Sequence, residues 1–173
     1  MNVLISPVTS ADVEPVIALA RLVWQHTYRD IISQAQMDFM LGQRYHAQRL
    51  LEELSMPGVW WDQAKVDDQL AGFSSCLLTA VDHEMKLDKI YVDPARQRRG
   101  VGARLIERAV SHALAAGCTT LILAVNKRNQ PAIAAYGRQG FAVRESVCVD
   151  IGNGFVMDDF IMAKRLLSPA APS

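Results

Sequence analysis

The spacing of apolar residues changes period along the chain, and each change marks an element. Val3, Leu4 and Ile5 form a short apolar run closed by Pro7, which predicts a first strand. Val13, Val16, Ile17, Ala20, Val23 and Trp24 then fall at steps of three and four, the period of a helix with one buried face. Thr9 or Ser10 caps it, and Pro15 lies early enough to be tolerated. Residues 25–32 read as an irregular link, followed by short helices near 34–41 and 43–54 that Pro57-Gly58 ends. From Val59 the pattern turns to strands: 59–66 and 70–80 about a turn at Asp67-Asp68-Gln69, then 85–92, three antiparallel strands in a row. A helix over 103–115 ends at Gly117, and 119–125 is wholly apolar. A strand–helix–strand order of this kind predicts a parallel pair joined by a right-handed crossover. Asn129 opens a last helix over 130–139, with Pro131 in its first turn and Gly140 at its end. The strands 141–151 and 155–164 close the chain as a hairpin turning at Gly152-Asn153-Gly154. The fold class is therefore α+β, one unit over 1–167 on a largely antiparallel sheet, with a disordered tail over 168–173.

Composition narrows the function classes. Half of the 173 residues are hydrophobic, and 18 basic side chains balance 18 acidic ones, enough apolar residues for one core and no basic excess of the kind a nucleic-acid-binding face carries. Cys76, Cys118 and Cys148 lack Cys-x-x-Cys spacing and read as buried free thiols of a cytoplasmic protein. The four histidines show no metal-ligand spacing, so no metal is expected. No signal-peptide pattern opens the chain, and the apolar run over 71–81 is far shorter than the roughly 20 residues of a membrane span, so no membrane partner is expected.

The chemistry concentrates between Asp93 and Leu105. Gly100 and Gly102 lack a Cβ, so the backbone can turn tightly and bring its N–H groups close to a ligand at the start of a helix. The helix dipole adds partial positive charge there, and Arg96, Arg98, Arg99 and Arg104 add formal charge, which together suit a phosphate. No Gly-Lys-Ser/Thr follows, which excludes a P-loop, and Leu105 stands where the dinucleotide fingerprint has its third small residue. By itself such a run also fits a solvated turn.

Gln97-x-x-Gly100-x-Gly102-Ala103, following Ile90-Tyr91-Val92-Asp93-Pro94, resembles the acetyl-CoA pyrophosphate motif of the GNAT superfamily of N-acetyltransferases. Asn126-x-x-Asn129-x-x-Ala132-x-x-x-Tyr136-x-x-x-Gly140-Phe141 looks like the same superfamily's downstream block, and the resemblance covers roughly 70–166. It implies a mixed sheet of about seven strands flanked by helices, with a parallel pair splayed at an acetyl-CoA cleft. By that similarity the backbone of Ile90, Tyr91 and Val92 pairs with the pantetheine arm. Gln97, Arg98, Arg99, Gly100, Val101, Gly102 and Ala103 hold the pyrophosphate, Asn129 joins the cofactor site, and Tyr136 protonates the departing thiolate. A phenol is neutral at pH 7 and suits that last role.

The implied reaction is direct attack of a neutral primary amine on the thioester of acetyl-CoA. Many members carry a glutamate on the strand before the loop, and the aligned position here is Lys86; Glu84 and Asp88 are the nearby alternatives for a base. The acceptor side is weakly similar to bacterial polyamine acetyltransferases, with Trp24, Tyr28, Asp150 and Asp158 as candidate contacts and Asp159 beside them. Carboxylates along a groove and aromatic faces suit a polycation. Another small amine, a protein N-terminus or lysine, a non-catalytic acyl-CoA sensor and a nucleotide-binding module stay open at this point, as does a homodimer through the last strands.

Overall fold

A computed structural model describes residues 2–167, and the expected tail over 168–173 lies outside the described residues. Seven strands form one sheet: β1 Val3–Pro7, β2 Val59–Val66, β3 Gln69–Leu78, β4 Glu84–Val92, β5 Thr120–Asn126, β6 Ala142–Gly152 and β7 Phe155–Arg165. Their order is β1-β2-β3-β4-β5-β7-β6, and only the β4–β5 neighbours run parallel. Helices α1 Val13–Tyr28, α2 Gln34–Arg44 and α3 Ala47–Leu54 come before β2, α4 Val101–Ala115 joins β4 to β5, and α5 Gln130–Arg138 joins β5 to β6.

The two faces of the sheet have separate cores. The apolar stripe of α1 anticipated from its spacing is buried against Met37, Tyr45, Leu50, Trp61 and Phe73. On the opposite face α4 sets Ile106, Ala109 and Ala113 against Met85, Leu87, Leu121 and Leu123. At Gly72 a Cβ would stand 2.8 Å from the Tyr91 carbonyl oxygen and 3.3 Å from both Leu105 and Val101. Gly72→Ala is therefore expected to destabilise by about 2 kcal/mol, roughly 4–8 °C in Tm by thermal melt, because backbone must shift to admit one carbon.

Several boundaries differ from the sequence reading, two of them beside the site. Residues 25–28 are helix rather than link, since Tyr28 packs its ring 4.8 Å from that of Trp24 and carries the buried face one turn further. Helix α4 starts at Val101, and the left-handed Gly100 (φ 81°) is its N-cap.

What places the site is a break in the sheet. β4 and β5 pair only at Glu84–Thr120, Met85–Leu121 and Lys86–Ile122, and beyond these both strands run on unpaired to each other, β4 to Val92 and β5 to Asn126. Across the β3–β4 register, Ser75 faces Lys89 while Cys76 faces Leu87, so Asp88 is an extra residue. Such a bulge bends its strand and sharpens the twist, which accounts for the divergence of β4 from β5.

Candidate active site

The loop from β4 into α4 turns three times. Asp93 accepts from the Ala95 N–H at 2.9 Å and from Arg96 at 2.8 Å, and Arg98 and Gly100 then take positive φ values of 62° and 81°. The first backbone hydrogen bond of the helix is Arg104 N–H to the Gly100 carbonyl, at 3.1 Å. Among the described residues, the N–H groups from Gln97 to Ala103 find no acceptor. A Cβ at Gly100 would meet nothing within 4 Å, and one at Gly102 would meet only Val92 at 3.8 Å, so the space over these donors is open. Seven consecutive unpaired donors at a helix N-terminus fit an anion with several oxygens, such as a diphosphate.

These donors edge a cleft of about 660 Å³ between α4 and α5, which Ile90, Val92, Gln97, Arg98, Gly100, Val101, Gly102, Ala103 and Tyr136 help to line. The small residues Ala132, Ala134 and Ala135 give α5 a thin wall, and Arg138 adds a cation that sequence reasoning missed. Arg96 is held by Asp93 and by Gln69 at 2.6 Å, Arg104 pairs with Glu107 at 3.5 Å, and neither they nor Arg99 line the cleft. The charge on this loop is therefore less concentrated than the arginine run suggests.

Through the gap between β4 and β5 the cleft meets a narrower cavity of about 140 Å³, with Ile90, Val92, Ala132 and Tyr136 common to both linings. Asn129 and Tyr91 line this middle cavity, and Asn129 also caps α5 by accepting from the Ala132 N–H at 3.4 Å. Burial, and then the neighbouring Tyr91 phenol, push the Tyr136 hydroxyl well above the usual tyrosine range. The group therefore keeps its proton at neutral pH and is available as a donor.

On the other face a third cavity of about 940 Å³ opens between α1–α3 and the β6–β7 hairpin, and shares Tyr28, Asp88, Tyr91 and Ala124 with the middle one. The three cavities together make a passage through the sheet. The bulge sets the chemistry of its far end, since Lys86, Asp88, Lys89 and Tyr91 all line this side, two of them successive residues. Asp88 meets Lys89 at 2.7 Å and both Arg44 and Lys86 at 3.5 Å. Burial opposes its charge, but the three cations outweigh burial and hold its carboxyl well below the usual range. It is thus a weak base. Because its folded pKa is depressed, the stability it contributes is present above about pH 4 and is lost as the pH falls below that. Asp88→Asn, which strands the buried Lys89, is expected to cost about 3 kcal/mol at pH 7, with the gap to the parent closing as the pH falls below 4 in a series of urea melts.

Several residues singled out from sequence lie elsewhere. Glu84 bonds Arg144 at 2.9 Å and Thr79 at 3.0 Å at the start of β4 and lines none of the three cavities, since the face it shares with Lys86 is already covered there. Asp158 points away from Asp159 by strand alternation and pairs with Lys127 at 2.6 Å. Asp150 accepts from the Gly152 N–H at 2.8 Å, a turn contact in the exposed hairpin. Trp24 and Tyr28 do line the third cavity, although Trp24 is also core. Asp159 lines it too, is 7% exposed, and has an Oδ1 without a partner among the described residues. Burial raises its pKa, against the pull of Lys86. Cys148 is exposed rather than buried, Cys76 is pushed up to about 12 by burial, and none of the three thiols lines the passage. Among the described residues no three His, Cys, Asp or Glu side chains gather as a metal site, and no helix is long and apolar enough to cross a membrane.

Residues 21–141 match the model of the Acetyltransferase (GNAT) family. The chain is 25% identical over 162 residues to the spermidine N(1)-acetyltransferase of Thermoplasma acidophilum, covering 91% of this chain and 97% of that one. It is 40% identical over 75 residues to the ribosomal protein bS18-alanine N-acetyltransferase of Salmonella typhimurium, covering 43% and 49% of the two chains. Among solved structures it is similar to the PaiA N-acetyltransferase of Thermoplasma acidophilum in complex with coenzyme A, with a TM-score of 0.83 at 25% identity over 95% of this chain and 99% of that one.

Proposed function

The chain belongs to the GNAT acetyltransferase family, and from that premise we propose that it moves the acetyl group of acetyl-CoA to the primary amine of a small molecule. The observation that carries this reading is the passage through the sheet, with an anion cradle at one mouth, a charged cleft at the other and Tyr136 in between. Acetyl-CoA supplies an activated thioester. The unpaired N–H groups from Gln97 to Ala103 bind its diphosphate, and the free edge of β4 at Ile90, Tyr91 and Val92 offers backbone partners to the amides of its arm. Tyr136 holds its proton and delivers it to the leaving sulfur.

An amine must lose a proton before it can attack. Asp88 is too weak a base to take it, yet Arg44, Lys86 and Lys89 beside it favour the neutral form of any amine that enters. The proton then leaves to water, and the chain's contribution is to lower the cost of that loss. Attack of the amine on the thioester forms the amide C–N bond as the C–S bond breaks, the sulfur departs as a thiol with the proton from Tyr136, and the proton the nitrogen loses as it becomes an amide returns through water to the phenolate.

The likeness to a spermidine N(1)-acetyltransferase over nearly the full chain favours a second, narrower reading, a polyamine as acceptor. Thiol release from acetyl-CoA with a panel of amines tests both. Release with small amines supports the transferase reading, and coenzyme A binding with no release for any of them supports a sensor instead.

A further inference from the structure

The acceptor cleft does not have the charge of a polycation site. Four basic side chains line it against three acidic ones, and two of the pairs cancel internally. Arg49 meets Glu53 at 3.5 Å, and Lys89 is buried against Asp88 at 2.7 Å beneath the Trp61 ring at 5.2 Å. Arg44 and Lys86 are left over. Both reach Asp88 only at 3.5 Å, longer than a charge-assisted hydrogen bond, and their side chains are 30% and 32% exposed to the cleft. One carboxylate facing three cations cannot neutralise them all. The remaining acid, Asp159, lines the same cleft with its Oδ1 buried and without a partner among the described residues, and Lys86 draws its pKa down against burial. The lining thus offers two cations with donors to spare and, in Asp159, one carboxylate that forms no ion pair among the described residues.

We propose that the acceptor is an amine that also carries an anionic oxygen group, a carboxylate or a phosphonate, which Arg44 and Lys86 bind while Asp159 faces the amine. The inference rests on the acetyl-transfer reading and narrows its substrate class. A spermidine cation would add positive charge to a cleft that already has an excess of it, whereas a zwitterion meets complementary charge at both ends. Arg44 presents a planar fork that suits a carboxylate or phosphonate, and Lys86 adds a point charge beside it.

The test compares acceptors of matched length: 1,4-diaminobutane, 4-aminobutanoate and 3-aminopropylphosphonate, together with α-amino acids against their amides and spermidine alone, each read as kcat/KM for thiol release. At least one anion-bearing acceptor is expected to exceed its uncharged or cationic counterpart by tenfold or more, and the carboxylate and phosphonate members separate the two sources of the anion. Lys86→Glu is expected to reverse the preference, mainly through KM, with Lys86→Gln between the two. Arg44→Gln gives an independent second variant, and an unchanged affinity for coenzyme A shows that each variant has kept its fold. Preference for the diamines or spermidine in the parent, or a preference for anions that neither Lys86→Glu nor Arg44→Gln moves, overturns this inference and leaves acetyl transfer standing. No turnover of any amine by a protein that binds acetyl-CoA overturns the transferase reading, and this inference with it.

Discussion

Tyr136→Phe is expected to lower kcat by about 100-fold while leaving the affinity for coenzyme A within about twofold, because it deletes one oxygen and keeps the ring. The ring of Tyr136 packs 6.0 Å from that of Phe141 and closes the wall between the two cavities, and a phenylalanine preserves that packing. The hydroxyl alone is lost, and with it the donor that burial keeps protonated. Steady-state kinetics paired with calorimetry of coenzyme A binding separate the two effects. A variant with parental kcat removes Tyr136 from the acid role, and a variant that loses both rate and affinity makes it a packing residue.

Gly102→Glu is expected to act at the opposite end, weakening coenzyme A binding by 100-fold or more without unfolding the chain. A Cβ at Gly102 would touch only Val92 at 3.8 Å, so the helix tolerates a side chain there. A glutamate, however, places a carboxylate over the unpaired N–H groups and repels a diphosphate in the space it should occupy. Gly102→Ala is the control for bulk, with a loss of no more than about tenfold. Parental affinity in the glutamate variant, with an unchanged melting curve, moves the anion site away from this loop.

The sequence carried local information well and long-range placement poorly. The apolar spacing from Val13 to Trp24, the glycine pair at Gly100 and Gly102, and the strand–helix–strand order around α4 each depend on neighbours in the chain, and each appears where the spacing put it. The acidic candidates were harder to place because their environment is set by distant residues. Glu84 is taken up by Arg144 on β6, and Asp158 by Lys127 at the end of β5. Arg44, which reads from sequence as the start of the second short helix, instead ends α2 and enters the cleft because that helix end reaches Asp88 on β4. From sequence Asp159 is only one of several acids, since strand alternation decides which of two adjacent carboxylates faces inward, and the register that settles it comes from pairing with β5 and β6.

The extra residue at Asp88 also sets a parity for everything after it. Before it, even-numbered side chains of β4 such as Lys86 face the third cavity; after it, odd-numbered ones such as Tyr91 do, while Ile90 and Val92 turn to the cleft beside α4. A relative that lacks this insertion would exchange those assignments from Lys89 onward, so residues matched one for one along this strand would be read onto the wrong face of the sheet.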